Sequence, residues 1–249
     1  FRISKIARLS RSELSDLQNA GGAHAGGAPG RLSHASLDDG SGLYLNRAIR
    51  CAADADPAGL ADVLSYAAVA LPRMVLLSQV IAPMMETLGE LWAKGKMRIG
   101  NEHMASAIVQ TMLLGMLNRA PVSVGAPSMV VSTPSGQWCE LGALMAAVVA
   151  ADRGWRAVYF GPNMPAEEIA AAAVENKARA VALGLAFLPD NDWLTDEFGR
   201  LMQGLPSGVR VYVGGRGAEG RRHRLENLGV CCIPDLASFS ETISTAAEQ

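Results

Sequence analysis

Two short stretches of the chain carry side chains that could hold a flat cofactor or a metal ion. In the first, Trp92 precedes the adjacent pair Glu102 and His103 by nine intervening residues. Trp92 ends one predicted helix and the pair lies near the start of the next, so the three side chains can converge on one pocket. His103 is therefore a candidate metal ligand as well as a candidate pocket residue.

The second stretch contains a cysteine in a loop between a predicted strand and a predicted helix. It runs Gln137, Trp138, Cys139, Glu140, Leu141, Gly142. A thiolate at Cys139 could bind a metal if the nearby helix N-terminus lowered the pKa of the thiol. A cysteine is equally an ordinary small apolar filler, and we favour that interpretation.

The second half of the chain alternates apolar runs with helical patterns, which predicts a parallel sheet covered on both faces. The predicted strands are Met129 to Ser132, Ala157 to Phe160, Ala180 to Leu185, Val209 to Val213 and Val230 to Ile233. Five such strands with intervening helices indicate a flavodoxin-like sheet of the Rossmann type. Ligands of these folds bind at the carboxyl ends of the strands, where Gln137 to Gly142, Gly184, Gly214 and Gly215 are all expected.

The first half has helical periodicity between residues 43 and 120. Four helices are predicted, at Leu43 to Ala55, Pro57 to Val69, Pro72 to Lys94 and Gly100 to Arg119. Short connections favour antiparallel neighbours and hence a four-helix bundle. Residues 1–18 form a short amphipathic element, the Gly-rich and Ala-rich residues 19–42 have the composition of a flexible linker, and the α/β domain is predicted at 127–249.

Composition narrows the classes of function. The 249 residues carry a formal net charge of -2, with 49% hydrophobic and 18% charged residues, so no global basic field would attract nucleic acid. The four cysteines show no CxxC spacing, which favours a reduced cytoplasm. Prolines and polar side chains interrupt the most apolar stretch, residues 67–85, and no membrane span is expected there.

The Trp-x9-Glu-His spacing, in a helical bundle just ahead of a flavodoxin-like domain, resembles the cobalamin-binding light sensors of the CarH and LitR type. The related aerobic repressor and antirepressor proteins of photosynthetic bacteria share it, and the resemblance extends from Leu43 to the C-terminus. It implies a cobalamin cofactor, with the bundle above the corrin ring and the α/β domain below it. The upper pocket implied in this way consists of Trp92, Ile99, Glu102 and His103.

The chain departs from this family on the lower side of the ring. The family has Asp/Glu-x-His-x-x-Gly there, with the histidine bound to cobalt and the acidic residue orienting it; this chain has Gln137, Cys139 and Gly142. Replacing the acidic residue and the histidine removes the cobalt ligand and the group that orients it. Gly184 stands where a Ser-x-Leu motif is usual, while the family's Gly-Gly pair is kept as Gly214 and Gly215.

The resemblance implies a non-enzymatic sensory module in which light acts on the cobalt-bound upper group and changes oligomeric state and DNA binding. Residues 1–17 resemble the end of a MerR-type helix-turn-helix domain, so DNA contact through a domain upstream of Phe1 and homo-oligomerisation are both expected. The histidine that follows the tryptophan in adenosyl-dependent members is Ala93 here. Three alternatives remain open: a haem or bilin in the same cleft, a cofactor-free antirepressor surface, and a corrinoid carrier for methyl transfer.

Overall fold

The computed structural model describes residues 40–187 and 193–247. Within these ranges the chain forms a helical bundle followed by a five-stranded parallel sheet, which confirms the predicted fold class. The predicted element at 1–18 and nearly all of the predicted linker at 19–42 lie outside the described residues. The first helix begins at Ser41, slightly before the boundary that composition suggested.

The bundle consists of four helices. They are α1 (Ser41–Ala53), α2 (Pro57–Ala70), α3 (Arg73–Ala93) and α4 (Ile99–Asn118). The start of α2 shows why the boundaries could be read locally: the Asp56 carboxylate accepts a hydrogen bond from the Gly59 backbone N–H at 2.9 Å, and Pro57 occupies the first helical position.

Helix α3 changes to π-helical geometry between Leu76 and Ile81 and then returns to α-helix. Pro83 follows directly and has no N–H, so the Gln79 carbonyl four residues earlier loses its usual donor. In the wider π turn the Ala82 N–H donates to the Leu77 carbonyl, five residues back. A wide turn thus accommodates the proline inside a long helix.

By length and composition alone, α3 is long and apolar enough to cross a membrane. One face of the helix is buried in the bundle core, where Leu77, Val80, Ile81 and Met84 have no exposed surface, while Trp92 near its end is 48% exposed.

The α/β domain has the strand order β2-β1-β3-β4-β5, with all neighbouring strands parallel. The strands are β1 (Ser128–Ser132), β2 (Arg156–Tyr159), β3 (Ala178–Gly184), β4 (Arg210–Gly214) and β5 (Cys231–Ile233). The helices are α5 (Leu141–Asp152), α6 (Ala166–Glu175), α7 (Trp193–Gly204), α8 (Arg216–Glu219), α9 (Arg222–Asn227) and α10 (Leu236–Ala247). This is the flavodoxin-like order.

One hydrophobic core joins the two halves of the molecule. It runs from the buried faces of the bundle helices through α5 to one face of the sheet and to α10. A second core on the opposite face packs α6, α7 and α9 against the same strands. The bundle is therefore seated on the α/β domain by apolar packing.

Candidate functional site

Polar contacts show which end of the sheet lies beneath the bundle. The Gln110 side-chain amide, on α4, donates to the Glu140 carboxylate at 2.6 Å, and Glu140 lies in the loop between β1 and α5. At the other end of α5, Arg73 pairs with Asp152 at 2.6 Å. The Gln110 contact places the middle of α4 beside the carboxyl end of β1.

The end of α3 lies near another strand end. The Lys94 ammonium donates to the Glu90 carboxylate at 2.6 Å and holds the pKa of Glu90 below its ordinary value, and Arg216, just after β4, adds a smaller effect in the same direction. The Arg216 guanidinium therefore acts on the last turn of α3 through its charge. The cleft between bundle and sheet opens along the edge at which ligands of such sheets bind.

The bundle contributes the residues predicted for the upper pocket. His103 precedes Gln110 by seven residues, so it lies on the same face of α4 and about 10 Å further toward the helix N-terminus. His103 is exposed, and Trp92 and Ile99 are 48% and 49% exposed. Exposed apolar side chains of this size, next to a cleft, suit a large flat ligand.

Glu102 differs from its predicted neighbours because it is half-buried. Its carboxylate accepts a hydrogen bond from the Ser106 hydroxyl one turn later, at 2.8 Å. Trp92, Ile99 and His103 are therefore exposed, and Glu102 is tied to its own helix; the convergence of these side chains on one pocket stays a prediction.

On the sheet side, Gln137 is only 1% exposed and is fully engaged by the loop after β3. Its side-chain N–H donates to the Phe187 carbonyl at 2.9 Å, and its side-chain oxygen accepts from the backbone N–H groups of Ala186 at 3.0 Å and Phe187 at 3.3 Å. Gln137 stands where the family has the acidic residue that orients the histidine. In this chain its side chain joins two loops.

The next two residues face outward. Trp138 is 68% exposed and Cys139 is exposed, so the thiol is not the buried apolar filler that we favoured from the sequence. Phe187, which the sequence analysis did not single out, is also exposed at this edge. It follows the end of β3 by three residues, and that position was the signal that could have identified it.

Sequence reasoning also missed a polar cluster around Glu140. The Tyr159 hydroxyl, at the end of β2, donates to the same carboxylate that accepts from Gln110. Burial raises the pKa of Tyr159, and its hydrogen bond to Glu140 raises it further, so the hydroxyl keeps its proton. The carboxylate thus links three elements: α4, the β1–α5 loop and β2.

The predicted glycines meet different surroundings. Gly215 has φ +107°, and a Cβ there would lie 2.3 Å from the Leu185 carbonyl oxygen, so the chain's own backbone requires this glycine. A Cβ on Gly184 would lie 3.2 Å from the Cβ of Ala143. Gly214 ends β4, while Gly142 lies in the first turn of α5 with open space around it.

No group of three His, Cys, Asp or Glu side chains in the described parts of the chain could hold a metal ion by itself. A metal carried by a macrocycle needs fewer protein ligands. The roles of Cys139 and His103 as axial ligands stay predictions.

Comparison with known proteins identifies the family. Residues 127–236 and residues 44–114 each match a model described as a B12 binding domain. The fold resembles the Methanosarcina barkeri monomethylamine corrinoid protein, with a TM-score of 0.65 and 14% identity over 83% of this chain and 99% of that chain. The two models match the bundle and the sheet separately, and the chain belongs to the B12-binding family, whose cofactor is cobalamin.

Within that family the chain is similar to CarH-type repressors, in agreement with the sequence resemblance. It is 30% identical over 175 residues to the HTH-type transcriptional repressor CarH of Myxococcus xanthus, covering 70% of this chain and 58% of the relative. It is 27% identical over 88 residues to the repressor CarA of the same organism, covering 35% of this chain and 31% of the relative. The chain thus spans less than two thirds of the length of these relatives.

Several features of the structure fit a corrinoid. Exposed Trp92 and Ile99 from the bundle, and Trp138 and Phe187 from the sheet edge, offer apolar surface for a large ring. Tyr212 is 3% exposed on the sheet face covered by α10, and its hydroxyl has no hydrogen-bond partner among the described residues. A buried unpaired hydroxyl is energetically costly, but this one lies beneath α10 and is not part of the exposed apolar surface.

The lower-ligand position does not fit histidine coordination. The chain places the exposed Cys139 there, and the adjacent acceptor and donor atoms of Gln137 are occupied by the loop after β3. The exposed apolar side chains are therefore compatible with a corrin ring, but the residues at the lower position do not provide the histidine–cobalt link of the family.

Proposed function

We propose that this chain is the cobalamin-binding sensory region of a light-responsive transcription regulator in the cytoplasm, and that it controls oligomerisation and DNA binding without catalysing a reaction. The observation that carries the proposal is the exposure of large apolar side chains both on the bundle, at Trp92 and Ile99, and at the carboxyl edge of the sheet, at Trp138 and Phe187. Similarity to the repressors CarH and CarA supports the regulatory role. DNA contact would come from a domain upstream of Phe1.

The chain's residues would divide the work of holding the cofactor. Trp92 and Ile99 would cover its upper face and exclude water, with His103 at the rim as a candidate upper ligand. Trp138 would support its lower face. When bound, cobalamin supplies a light-sensitive bond between cobalt and its upper group.

Below the ring, two arrangements are compatible with the structure. The Cys139 thiol is exposed and could bind the metal as a thiolate, or the cofactor's own base could occupy the lower position. Cys139→Ser separates these arrangements. A changed spectrum of the loaded protein would indicate thiolate coordination, and an unchanged spectrum would assign the lower position to the cofactor's base.

The first experiment is absorption spectroscopy of the purified chain before and after reconstitution with adenosylcobalamin in the dark, and then under green light. We expect corrinoid bands that change on illumination, together with a change of oligomeric state in size-exclusion chromatography. Haem or bilin bands in the protein as purified, without corrinoid uptake, would show that its chromophore is not cobalamin. The absence of any cofactor would favour a cofactor-free antirepressor surface.

A corrinoid carrier for methyl transfer remains the alternative of a different class. The fold shared with the monomethylamine corrinoid protein is compatible with it, but at 14% identity this likeness describes the fold alone. Methylcobalamin bound to the chain should not serve as a methyl donor, and bound cob(I)alamin should not serve as a methyl acceptor, with a partner methyltransferase. Turnover in that assay would overturn the sensory assignment.

A further inference from the structure

Glu140 occupies an unusual position for a side chain that precedes a helix. It stands directly before the first residue of α5, where an acidic side chain commonly caps the helix, yet it makes no side-chain capping hydrogen bond. Its two oxygens instead accept hydrogen bonds from Gln110 on α4 and from Tyr159 on β2. Both contacts reach other elements of the fold.

The two contacts differ in what they restrain. Tyr159 and Glu140 both belong to the α/β domain, so their bond fixes the carboxylate within that domain. Gln110 belongs to the bundle, and its bond is a direct polar tie between the bundle and the loop that carries Cys139. A hydrogen bond to an ionised acceptor is shorter and stronger than a neutral one, as the 2.6 Å distance shows.

Gln110 also shares a helix face with His103, seven residues away. Any displacement of this face of α4 relative to α5 therefore lengthens the Gln110–Glu140 bond at once. Since Glu140 follows Cys139 directly in the chain, the loop at residues 133–140 then loses its tie to the bundle, while the bonds of Tyr159 and Gln137 still hold it to the α/β domain. The upper and lower sides of the cleft are joined through this carboxylate.

We propose that Glu140 is a positioning residue that couples the bundle to the Cys139 loop, so that a shift of α4 changes the mobility of residues 133–140. The inference rests on contacts within the chain and needs no cofactor. Its failure is therefore distinguishable from failure of the proposed function, which is tested by corrinoid uptake.

The experiment is hydrogen–deuterium exchange, read by mass spectrometry, on the full chain without cofactor. Gln110→Leu removes the donor while keeping most of the side-chain volume, and Thr111→Ala is the matched control, because the Thr111 hydroxyl bonds to its own helix at the Ala107 carbonyl. We expect exchange of residues 133–140 to accelerate by about tenfold in Gln110→Leu, the scale of one lost charge-assisted hydrogen bond. Thr111→Ala should leave it unchanged.

A second readout uses the cysteines of the same protein. Cys139 and Cys231 are both exposed, and Cys231 lies on β5, away from the proposed tie. The rate of Cys139 alkylation, followed by peptide mass spectrometry, should rise in Gln110→Leu. The rate of Cys231 alkylation should stay constant.

Two outcomes would overturn the inference. Unchanged exchange at 133–140 in Gln110→Leu would show that the loop does not sense α4. An equal acceleration in β3, at residues 178–184, would show general destabilisation and not coupling through Glu140. Normal exchange in β3 together with faster exchange in the loop is the result that supports it.

Discussion

We expect the Gln137 side chain to contribute more to the free energy of unfolding than the side chain of any other glutamine described above. Gln137→Leu keeps the volume of the side chain but removes hydrogen bonds of 2.9 Å, 3.0 Å and 3.3 Å to the loop after β3. An unsatisfied buried partner costs about 1–3 kcal/mol. Phe187 is exposed and Ala186 half-buried, so water replaces part of the loss, and the low end of that range applies to each bond.

The expected total is about 3 kcal/mol of lost unfolding free energy, at about 1 kcal/mol for each of three bonds. For a protein of this size that corresponds to a fall in Tm of roughly 6–12 °C. Chemical denaturation with a constant m-value is the direct assay, because it separates a stability change from a change in the denatured state.

Gln79→Leu is the matched control for this prediction. Gln79 is exposed and accepts one hydrogen bond, from Ser41 at 3.0 Å, so its loss should stay within about 0.5 kcal/mol. Gln137→Glu adds a second check: a carboxylate retains the acceptor but not the donor to Phe187, and protonation restores that donor. Its destabilisation should therefore shrink in acid. A loss below about 1 kcal/mol for Gln137→Leu would refute the role assigned to this side chain.

Three further predictions concern other contacts. Asp235→Ala should cost about 1 kcal/mol of unfolding free energy because Asp235 accepts a hydrogen bond from a backbone N–H at the start of α10. That bond lowers the pKa of Asp235, so its contribution to stability is present above about pH 4 and is lost as the pH falls through the lowered pKa. Chemical denaturation at a series of pH values measures this loss. Gly215→Ala should largely prevent folding, since its Cβ would lie 2.3 Å from the Leu185 oxygen, whereas circular dichroism of Gly142→Ala should show a stable fold. Tyr212→Phe removes an unpaired buried hydroxyl, so thermal unfolding of the cofactor-free chain should show equal or higher stability; a loss above about 1 kcal/mol would mean that the hydroxyl is bonded.

The elements were predictable because their signals are local. The strand β1 is an apolar run, α2 begins with an aspartate cap and a proline, and α6 begins after Pro165 with two glutamates in its first turn. These features determine secondary structure over a few residues, and alternation of strands and helices then favours one sheet topology.

The sequence also predicted a set of site residues, but it did not indicate how Gln137 and Cys139 are used. Cys139 was interpreted as a filler, and the structure exposes it because the neighbouring Gln137 turns inward to bond a loop 50 residues away. No spacing rule links those two positions. Phe187 was missed for the same reason, since its exposure depends on how two loops meet.

By itself, then, the sequence determined the order and type of the elements, the two-domain arrangement and the family, because hydrophobic periodicity, capping residues and short motifs act between neighbours in the chain. The tertiary structure alone decided that Gln137 joins two loops, that Glu140 ties the bundle to the sheet and that the Tyr212 hydroxyl has no partner within residues 40–187 and 193–247. Each of these depends on residues far apart in sequence. Their side-chain directions are fixed only when the two hydrophobic cores have packed.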